Sequence, residues 1–468
     1  MTDASDTQRD TARLTAAPTA RPTARPTARS PRPRRYLTAR AGWWLALGAV
    51  PALLAPGRLP WLVAAAWLVG WLVVVGRDIS LAVPPESLDV SRELPVKLSI
   101  GVANPVVLHV RSRGARLAHL RVRETPPPGF VGERRAALLV PAFDARELDL
   151  SFTPPARGCW RFGRPGVRSL GPLGLGGWQF APDIAEDVRV YPDITAVRSY
   201  ALLARKGSLL EMGVRQARLA GAGMEFESLR EYRPGDDYRD IDWKATARRA
   251  DPVVRQFEVE RSQTIVIALD AGRLMTPAAG GLSKLDRAAN AALLLAYLAV
   301  ANGDLVGLVV FGRDVEAFLP PRKGHRQFLA ILEALYAVEA RVEEPDYERA
   351  LRFLAAKLTK RSLVVLFTDV LGTEPSRRLL RVLSSITTKH LPLVLTQRDR
   401  AIEARARAAA RTESDAFAAA VAEDILRDKA AALGVLSAAG ALALDVDPSE
   451  LSVAAVNRYL EIKARGRL

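Results

Sequence analysis

The stretch TIVIALDAGRLMTPAAGGLSKLDRAANAALLLAYLAVANGDLVGLVVF, residues 264–311, sets the fold of the C-terminal half. Residues 265–269 are an unbroken apolar run of strand length, which suits a strand covered on both faces. Residues 282–301 place Leu285, Ala288, Ala292, Leu295 and Leu298 at helical spacing. Residues 305–311 form a second apolar strand. The alternation continues to the end of the chain. An edge strand is expected over 315–319, helices over 327–337 and 347–358, a strand over 363–368, a helix over 376–385 and a strand over 391–396. A long Ala-rich helix over 412–434, a strand over 442–446 and a helix over 451–464 complete it. This is the pattern of a doubly wound α/β domain over residues 263–468, with a parallel sheet and helices on both faces. Such sheets bind ligands beyond the carboxyl ends of their strands, where Asp270 and Asp369 stand. Lys284, Arg287 and the other scattered helix charges read as solvent faces.

The segment immediately upstream, residues 196–262, contains the densest motif of the chain. Residues 221–261 read GAGMEFESLREYRPGDDYRDIDWKATARRADPVVRQFEVER. Between Glu225 and Arg249 lie seven acids and six bases, interleaved with Phe226, Leu229, Tyr232, Tyr238, Ile241 and Trp243. Pro234-Gly235-Asp236 signals a turn. Alternating charges around aromatic anchors suit an ion-pair network that latches a segment onto a domain, or a docking surface. The carboxylates Asp236, Asp237, Asp240 and Asp242 are also the oxygen donors a hard divalent cation prefers, although nearby Arg residues would neutralise them. A catalytic role for this quartet is the alternative reading.

The string Glu225-Phe226-x-x-Leu229-Arg230-x-Tyr232-x-Pro234-Gly235-Asp236-Asp237-x-Arg239-x-Ile241-Asp242-Trp243-Lys244-Ala245-x-Ala247-Arg248 resembles the signature of the bacterial domain-of-unknown-function 58 family. The resemblance implies an N-terminal membrane hairpin, a β-rich segment, this motif and a von Willebrand factor A-like domain. It also implies a partner, a MoxR-type AAA+ ATPase, in a chaperone-like system. Domains similar to von Willebrand factor A often hold a metal ion through Asp-x-Ser-x-Ser, a Thr and a second Asp. Here the first motif is Asp270-Ala271-Gly272-Arg273-Leu274, with both serine positions replaced, and the second Asp matches Asp369. The Thr position falls near Asp346-Tyr347. Two carboxylates are a poor set for Mg²⁺, which needs near-octahedral oxygens, and Arg273 is placed to pair with one of them. Without a metal, Asp270 and Asp369 would cap loops at the sheet edge, and Gly272 would permit a tight turn.

Residues 80–195 are rich in Pro and Gly and carry short β-type runs at 96–102, 106–110, 117–122, 136–140, 148–152 and 188–191. That spacing predicts a small β-sandwich-like domain. No catalytic constellation accompanies it. The chain contains no phosphate-loop, nucleophile-elbow or zinc-protease motif, and its single cysteine, Cys159, excludes an intrachain disulfide.

The chain of 468 residues carries a net charge of +16, with 49% hydrophobic and 25% charged residues. The apolar share excludes a mostly disordered or collagen-like chain. Residues 1–40 hold nine Arg and three Asp, so a net +6 sits in a Pro-Thr-Ala-Arg-repeating tail expected to be disordered. Two uncharged stretches follow within 41–77, interrupted by Arg58. The second, from 59 to 76, is long enough to cross a bilayer at about 1.5 Å per residue. Arg29, Arg32, Arg34, Arg35 and Arg40 crowd the first stretch, so the positive-inside tendency places the tail and everything after Arg77 in the cytoplasm. The expectation is a plasma-membrane protein with two transmembrane helices, in contact with membrane lipid. Nucleic-acid binding by the tail ranks last, because no RNA-binding fold or aromatic interleaving accompanies it. The expected role is a non-enzymatic protein-binding or assembly factor; a metal-dependent hydrolase is the alternative.

Overall fold

The computed structural model describes residues 32–48, 50, 59–206, 224–232, 238, 241–249, 251–259, 262–279, 281–370 and 373–466. Strand β1 (Arg34–Leu37) leads through Thr38 into helix α1 (Ala39–Leu47). Helix α2 (Leu59–Leu81) follows. Among the described residues α2 supplies the one helix long and apolar enough to cross a membrane, and its apolar window is almost wholly exposed. The expected first span falls partly on residues 51–58, outside the described residues. The two helices meet where Trp67 Nε1 donates to Trp44 O at 3.1 Å and Trp71 Nε1 donates to Ala41 O at 2.9 Å.

The next unit contains β2 (Leu88–Glu93), β3 (Lys97–Ser99), β4 (Asn104–Ser112), β5 (Ala118–Arg123), β6 (Val131–Gly132), β7 (Arg135–Val140), β8 (Ala145–Thr153), β9 (Gly158–Phe162), β10 (Gly166–Leu170), β11 (Gly176–Phe180) and β12 (Glu186–Tyr191). They form sheets of order β1-β11-β10-β5-β7, β2-β4-β8-β6 and β3-β12-β9. The period of two is visible in β4, where Val106, Leu108 and Val110 are buried and their neighbours are not. These residues share one core with Leu120, Val122, Phe152, Phe162 and Val190. Residues 34–37, expected to belong to the disordered tail, instead pair antiparallel with β11 as β1. A short Arg-Arg-Tyr-Leu strand has no local signal of its own and takes its stability from the sheet edge it joins.

Helix α3 (Ile194–Lys206) links this unit to the motif segment. There β13 (Met224–Glu231) and β14 (Val253–Val259) pair antiparallel across helix α4 (Trp243–Arg249), with a bulge between Phe226 and Ser228.

The C-terminal unit begins with β15 (Thr264–Asp270), the small hairpin of β16 (Ala278–Ala279) and β17 (Leu282–Ser283), and α5 (Lys284–Ala301). It continues through β18 (Leu305–Phe311), β19 (Val315–Arg322), α6 (His325–Ala337), α7 (Tyr347–Lys357), β20 (Leu363–Phe367), α8 (Thr373–Thr387) and β21 (Leu391–Gln397). It ends with α9 (Arg400–Arg407), α10 (Glu413–Ala438), β22 (Leu442–Val446) and α11 (Leu451–Ala464). Six strands form one sheet in the order β19-β18-β15-β20-β21-β22. All pairs are parallel except β18–β19. β19 ends in Pro320-Pro321, and proline is tolerated there because an edge strand has unpaired amides. Helices α5, α6 and α11 cover one face and α7, α8 and α10 the other, each with its own apolar core. The strand order reverses between β15 and β20, which opens a crevice at their carboxyl ends.

The β-rich unit is fastened to the α/β unit. Arg157 Nε donates to Asp286 Oδ1 at 2.5 Å, and its terminal nitrogen bonds Leu335 O. Tyr191 stacks on Tyr336 with ring centroids 4.6 Å apart.

Candidate functional site

The crevice brings Asp270 and Asp369 together from the ends of β15 and β20, and both side chains are buried. Asp270 Oδ1 accepts from Gly272 N at 2.7 Å. Its Oδ2 accepts from Thr368 Oγ1 at 2.6 Å and from Tyr347 Oη at 3.1 Å. Thr368 and Tyr347 also lie within hydrogen-bond distance of each other, at 3.0 Å. The neighbourhood expected to supply a Thr therefore supplies a tyrosine hydroxyl. Burial pushes the Asp270 carboxyl up to about 6, the hydrogen bonds to Thr368, Gly272 and Tyr347 pull it down, and the nearby Asp369 charge adds to the rise. Burial likewise holds the Tyr347 hydroxyl well above its ordinary range, with the Asp270 charge adding to it.

Asp369 is held differently. Lys284 Nζ lies 2.6 Å from its Oδ2 and Lys429 Nζ lies 3.0 Å from its Oδ1. Lys284 also reaches Asp399 Oδ2 at 3.3 Å, and Lys429 reaches Asp445 Oδ1 at 3.0 Å and Gln397 O at 2.5 Å. Burial works to lower the Lys284 ammonium, but the Asp369 and Asp399 carboxylates outweigh it and hold the group above its ordinary range. Three carboxylates thus surround two ammonium groups, and Asp270 stands beside them with hydroxyl and amide partners.

These two lysines overturn one expectation. Lys284 is not on a solvent face but 2% exposed, and Lys429 is 5% exposed. Both carried a legible signal. Lys284 follows the cap residue Ser283 at the start of α5, where the helix dipole disfavours a cation, so it needs a carboxylate nearby. Lys429 shares the buried stripe of α10 with Ala422, Ala432 and Leu436.

The first metal-ligand motif is closed at its serine positions. A Cβ at position 272 would lie 2.8 Å from Pro345 Cδ and 3.0 Å from Asp270 Oδ1. Gly272 has an ordinary φ of −76°, so lack of room for a side chain, and not a special turn, requires glycine there. Arg273 pairs with Glu344 at 2.6 Å on the surface and leaves the crevice carboxylates alone. Asp346 caps α7 by accepting from Arg349 N at 2.9 Å. A divalent ion at Asp369 would have to displace two ammonium groups, so this donor set does not fit Mg²⁺. Among the described residues, no group of three or more His, Cys, Asp or Glu side chains is placed to hold a metal ion.

The charged motif is described in part. Glu225, Phe226 and Arg230 lie along β13, and Arg248 lies in α4. Pro234, Gly235, Asp236, Asp237, Arg239 and Asp240 lie outside the described residues. Asp242 Oδ1 accepts from Ala245 N at 3.0 Å, so it caps α4. Tyr232 and Trp243 present 37% and 69% of their surface to solvent.

The model of a family described as "Protein of unknown function DUF58" matches residues 228–416, so the chain carries that domain. The matched span contains β15 to α9, hence both crevice aspartates. The uncharacterized protein Rv1480 of Mycobacterium tuberculosis is 26% identical over 169 residues, 36% of this chain and 53% of that protein. The uncharacterized protein YeaD of Bacillus subtilis is 26% identical over 118 residues, 25% of this chain and 27% of that protein. The chain spans about half the length of the mycobacterial relative. Among solved structures, the CARDB domain of the PF1109 protein from Pyrococcus furiosus aligns with 23% of this chain at 16% identity and a TM-score of 0.17, covering 94% of that domain. Proximal thread matrix protein 1 from the mussel byssus aligns with 44% of this chain and 47% of its own at 12% identity and a TM-score of 0.26. Scores that low establish no shared fold.

Proposed function

We propose that this protein is a membrane-anchored, non-enzymatic binding or assembly factor. In this reading the C-terminal unit is a von Willebrand factor A-like domain that works without a metal ion. The strand order, with β15 and β20 flanking the crevice and β19 antiparallel at the edge, supports the fold. The observation that carries the functional reading is the Lys284–Asp369–Lys429 triad. Its carboxylate is buried and neutralised from within, so Asp369 itself is not free to activate water. The same charge that a cation would bring is built into the chain. The alternative, a metal-dependent hydrolase using Asp236, Asp237, Asp240 and Asp242, has less support, because Asp242 is engaged as a helix cap.

The membrane reading has its own support. β1 and the end of α2 converge on the β10–β11 loop: Thr38 Oγ1 donates to Gly174 O at 2.7 Å, and Asp78 accepts from Leu173, Leu175 and Gly176 amides at 2.8, 2.8 and 3.1 Å. Chain entry and exit are therefore adjacent, as a hairpin of two spans inserted from one side of a plasma membrane requires. The Arg-rich tail favours the cytoplasm for both the tail and the folded units. The partner implied by the family resemblance, a MoxR-type AAA+ ATPase, would dock on exposed aromatic residues of the motif. Crosslinking and pull-down of the membrane-bound chain tests this with Trp243→Ala, whose side chain is exposed, and with Asp270→Asn. Loss of an AAA+ ATPase from the Trp243→Ala sample supports docking through the motif. Undiminished recovery from both variants removes the motif and the crevice from the reading.

A further inference from the structure

The five strands of the β1-β11-β10-β5-β7 sheet contain six Arg and not one Asp or Glu. Their register sorts the arginines by face. Arg34, Gln179, Arg168, Arg121 and Ala137 stand in one row across the sheet. Arg123 lies two residues along from Arg121 on the same face, directly opposite Arg135. All five arginines of this face are exposed. Among the described residues none of them forms an ion pair. Arg168 bonds only Gln179 Oε1, at 2.9 Å, and lies over the Tyr36 ring at 4.9 Å. Burial raises the Tyr36 hydroxyl, and the charges of Arg168 and Arg121 pull against that rise, so both cations lie close to this ring.

Like charges placed directly opposite on neighbouring strands cost stability. Two such pairs, Arg168 with Arg121 and Arg123 with Arg135, occur here without compensation. Elsewhere the same unit pairs its charges. Arg113 meets Asp89, Arg161 meets Asp187, and Arg164 meets Asp183. The Arg face is therefore a surface of this unit on which, among the described residues, no acidic side chain stands against the cations.

Its position says where that counter-charge comes from. β1 runs straight into the apolar hairpin at Thr38, and Asp78 ties α2 to the loop between β10 and β11. Arg34 is three residues from Leu37, about 10 Å at a strand rise of roughly 3.3 Å. That distance is comparable with the Debye length at physiological salt, about 8 Å, and the register puts Arg168 and Arg121 level with Arg34 but Arg123 and Arg135 two residues farther from the hairpin. Guanidinium groups bind phosphate oxygens in bidentate fashion, and anionic headgroups attract basic residues near the surface. We infer that the row formed by Arg34, Arg168 and Arg121 binds the phosphate headgroups of anionic lipids in the bilayer that holds the hairpin, with Arg123 and Arg135 adding positive charge behind it. This rests on the membrane reading above and adds a second, specific attachment to it. The face would fix the orientation of the β-rich unit against the membrane, and through Arg157 and Asp286 that of the α/β unit as well.

The test uses the full chain in neutral detergent and follows its thermal unfolding midpoint. Phosphatidylglycerol is added to one sample, and phosphatidylcholine, inorganic phosphate or a single-stranded oligoribonucleotide to others. The expected result is an upward shift with phosphatidylglycerol alone, suppressed by high salt. Arg121→Gln/Arg168→Gln should lose most of that shift, and Arg121→Lys/Arg168→Lys should keep most of it. The tail is present in every variant, so the comparison isolates the sheet. A full shift in the Gln variant assigns the effect to the tail or hairpin and overturns the proposal. So does an equal shift with phosphatidylcholine or inorganic phosphate, or a larger one with the oligoribonucleotide. Alkaline carbonate extraction of cell membranes tests the underlying reading separately. Release of the wild-type chain into the soluble fraction would defeat the membrane anchor, whatever the lipid titration shows.

Discussion

Lys429 Nζ lies 3.0 Å from Asp369 Oδ1, on the oxygen that Lys284 leaves free. Removing one member of a buried ion pair leaves an uncompensated charge, which costs about 3–5 kcal/mol. Lys429→Met leaves Asp369 with Lys284 alone and Asp445 without its ammonium partner, so it is expected to destabilise the α/β unit by part of that amount. Adding Asp369→Asn to Lys429→Met should recover part of the loss. Denaturant unfolding of the four members of this cycle checks both statements. Magnesium should leave the wild-type midpoint where it is, because the ammonium groups already hold both oxygens of Asp369.

Asp270 gives the crevice a pH signature. Its carboxyl is pushed up to about 6 by burial, against an ordinary value of 3.8. The folded state thus holds a proton that the unfolded state has released. Its contribution to stability is fully present below pH 4 and is lost as pH rises from about 4 to 6. Two units correspond to about 3 kcal/mol. Asp270→Asn removes this dependence and retains an oxygen for Gly272 N. The stability difference between variant and wild type should move in the variant's favour by about 3 kcal/mol between pH 4 and 7, and then level off. Unfolding midpoints of the α/β unit measured across that range decide the matter. A constant difference would show that Asp270 keeps an ordinary carboxylate.

The physical reasons for what was legible differ from element to element. β15, α5 and β18 were readable from 265–311 because continuous apolar strands and helical spacing are local signals. Asp270 and Asp369 were readable as crevice residues because they end such strands. Their partners were harder to see. A lysine reads as solvated unless its place on a helix is projected onto the buried face, and Lys284 and Lys429 reach Asp369 from 85 and 60 residues away in sequence. α9 escapes a sequence reading because Arg400–Arg407 is short, with charges at every second or third position, and is held by capping from Asp399 and by its packing beside α10. β1 was missed because nothing local distinguishes Arg34–Leu37 from the Arg-rich tail before it.

Asp78 is the latch between the apolar hairpin and the β-rich unit. It is 1% exposed and satisfies three backbone amides of the β10–β11 loop. A Cβ at position 171 would lie 2.4 Å from its carboxyl oxygen, so Gly171 is needed for this close approach. Asp78→Ala orphans three donors, each worth about 1–3 kcal/mol when buried without a partner. Limited proteolysis should then cut within residues 171–176 at least several-fold faster than in wild type. Gly171→Ala should produce the same phenotype by pushing the carboxylate away. Unchanged cleavage in both variants would mean that Thr38 alone holds the loop.

Arg157 and Lys97 both reach across from the β-rich unit to the α/β unit, and their contrast gives the sharpest test of how the two are joined. Arg157 meets Asp286 at 2.5 Å with side chains only 5% and 11% exposed. Asp286 is also the third residue of the capping box that starts α5, accepting from Ser283 Oγ at 2.6 Å, so the interface pair shares a carboxylate with the helix start. Lys97 meets Glu333 at 2.7 Å, but these side chains are 32% and 50% exposed. Exposed pairs contribute about 0–1 kcal/mol, whereas loss of one buried partner costs about 3–5 kcal/mol. Calorimetry should therefore show little change for Lys97→Ala. Arg157→Ala should split the melting of the two units into separate transitions, with the β-rich unit unfolding at a lower temperature. Arg157→Met combined with Asp286→Asn should restore much of the coupling, because neither buried charge then lacks its partner. If Lys97→Ala uncouples the units as strongly as Arg157→Ala, the Tyr191–Tyr336 stack beside Glu333 is the hinge, and the buried pair serves only to start α5.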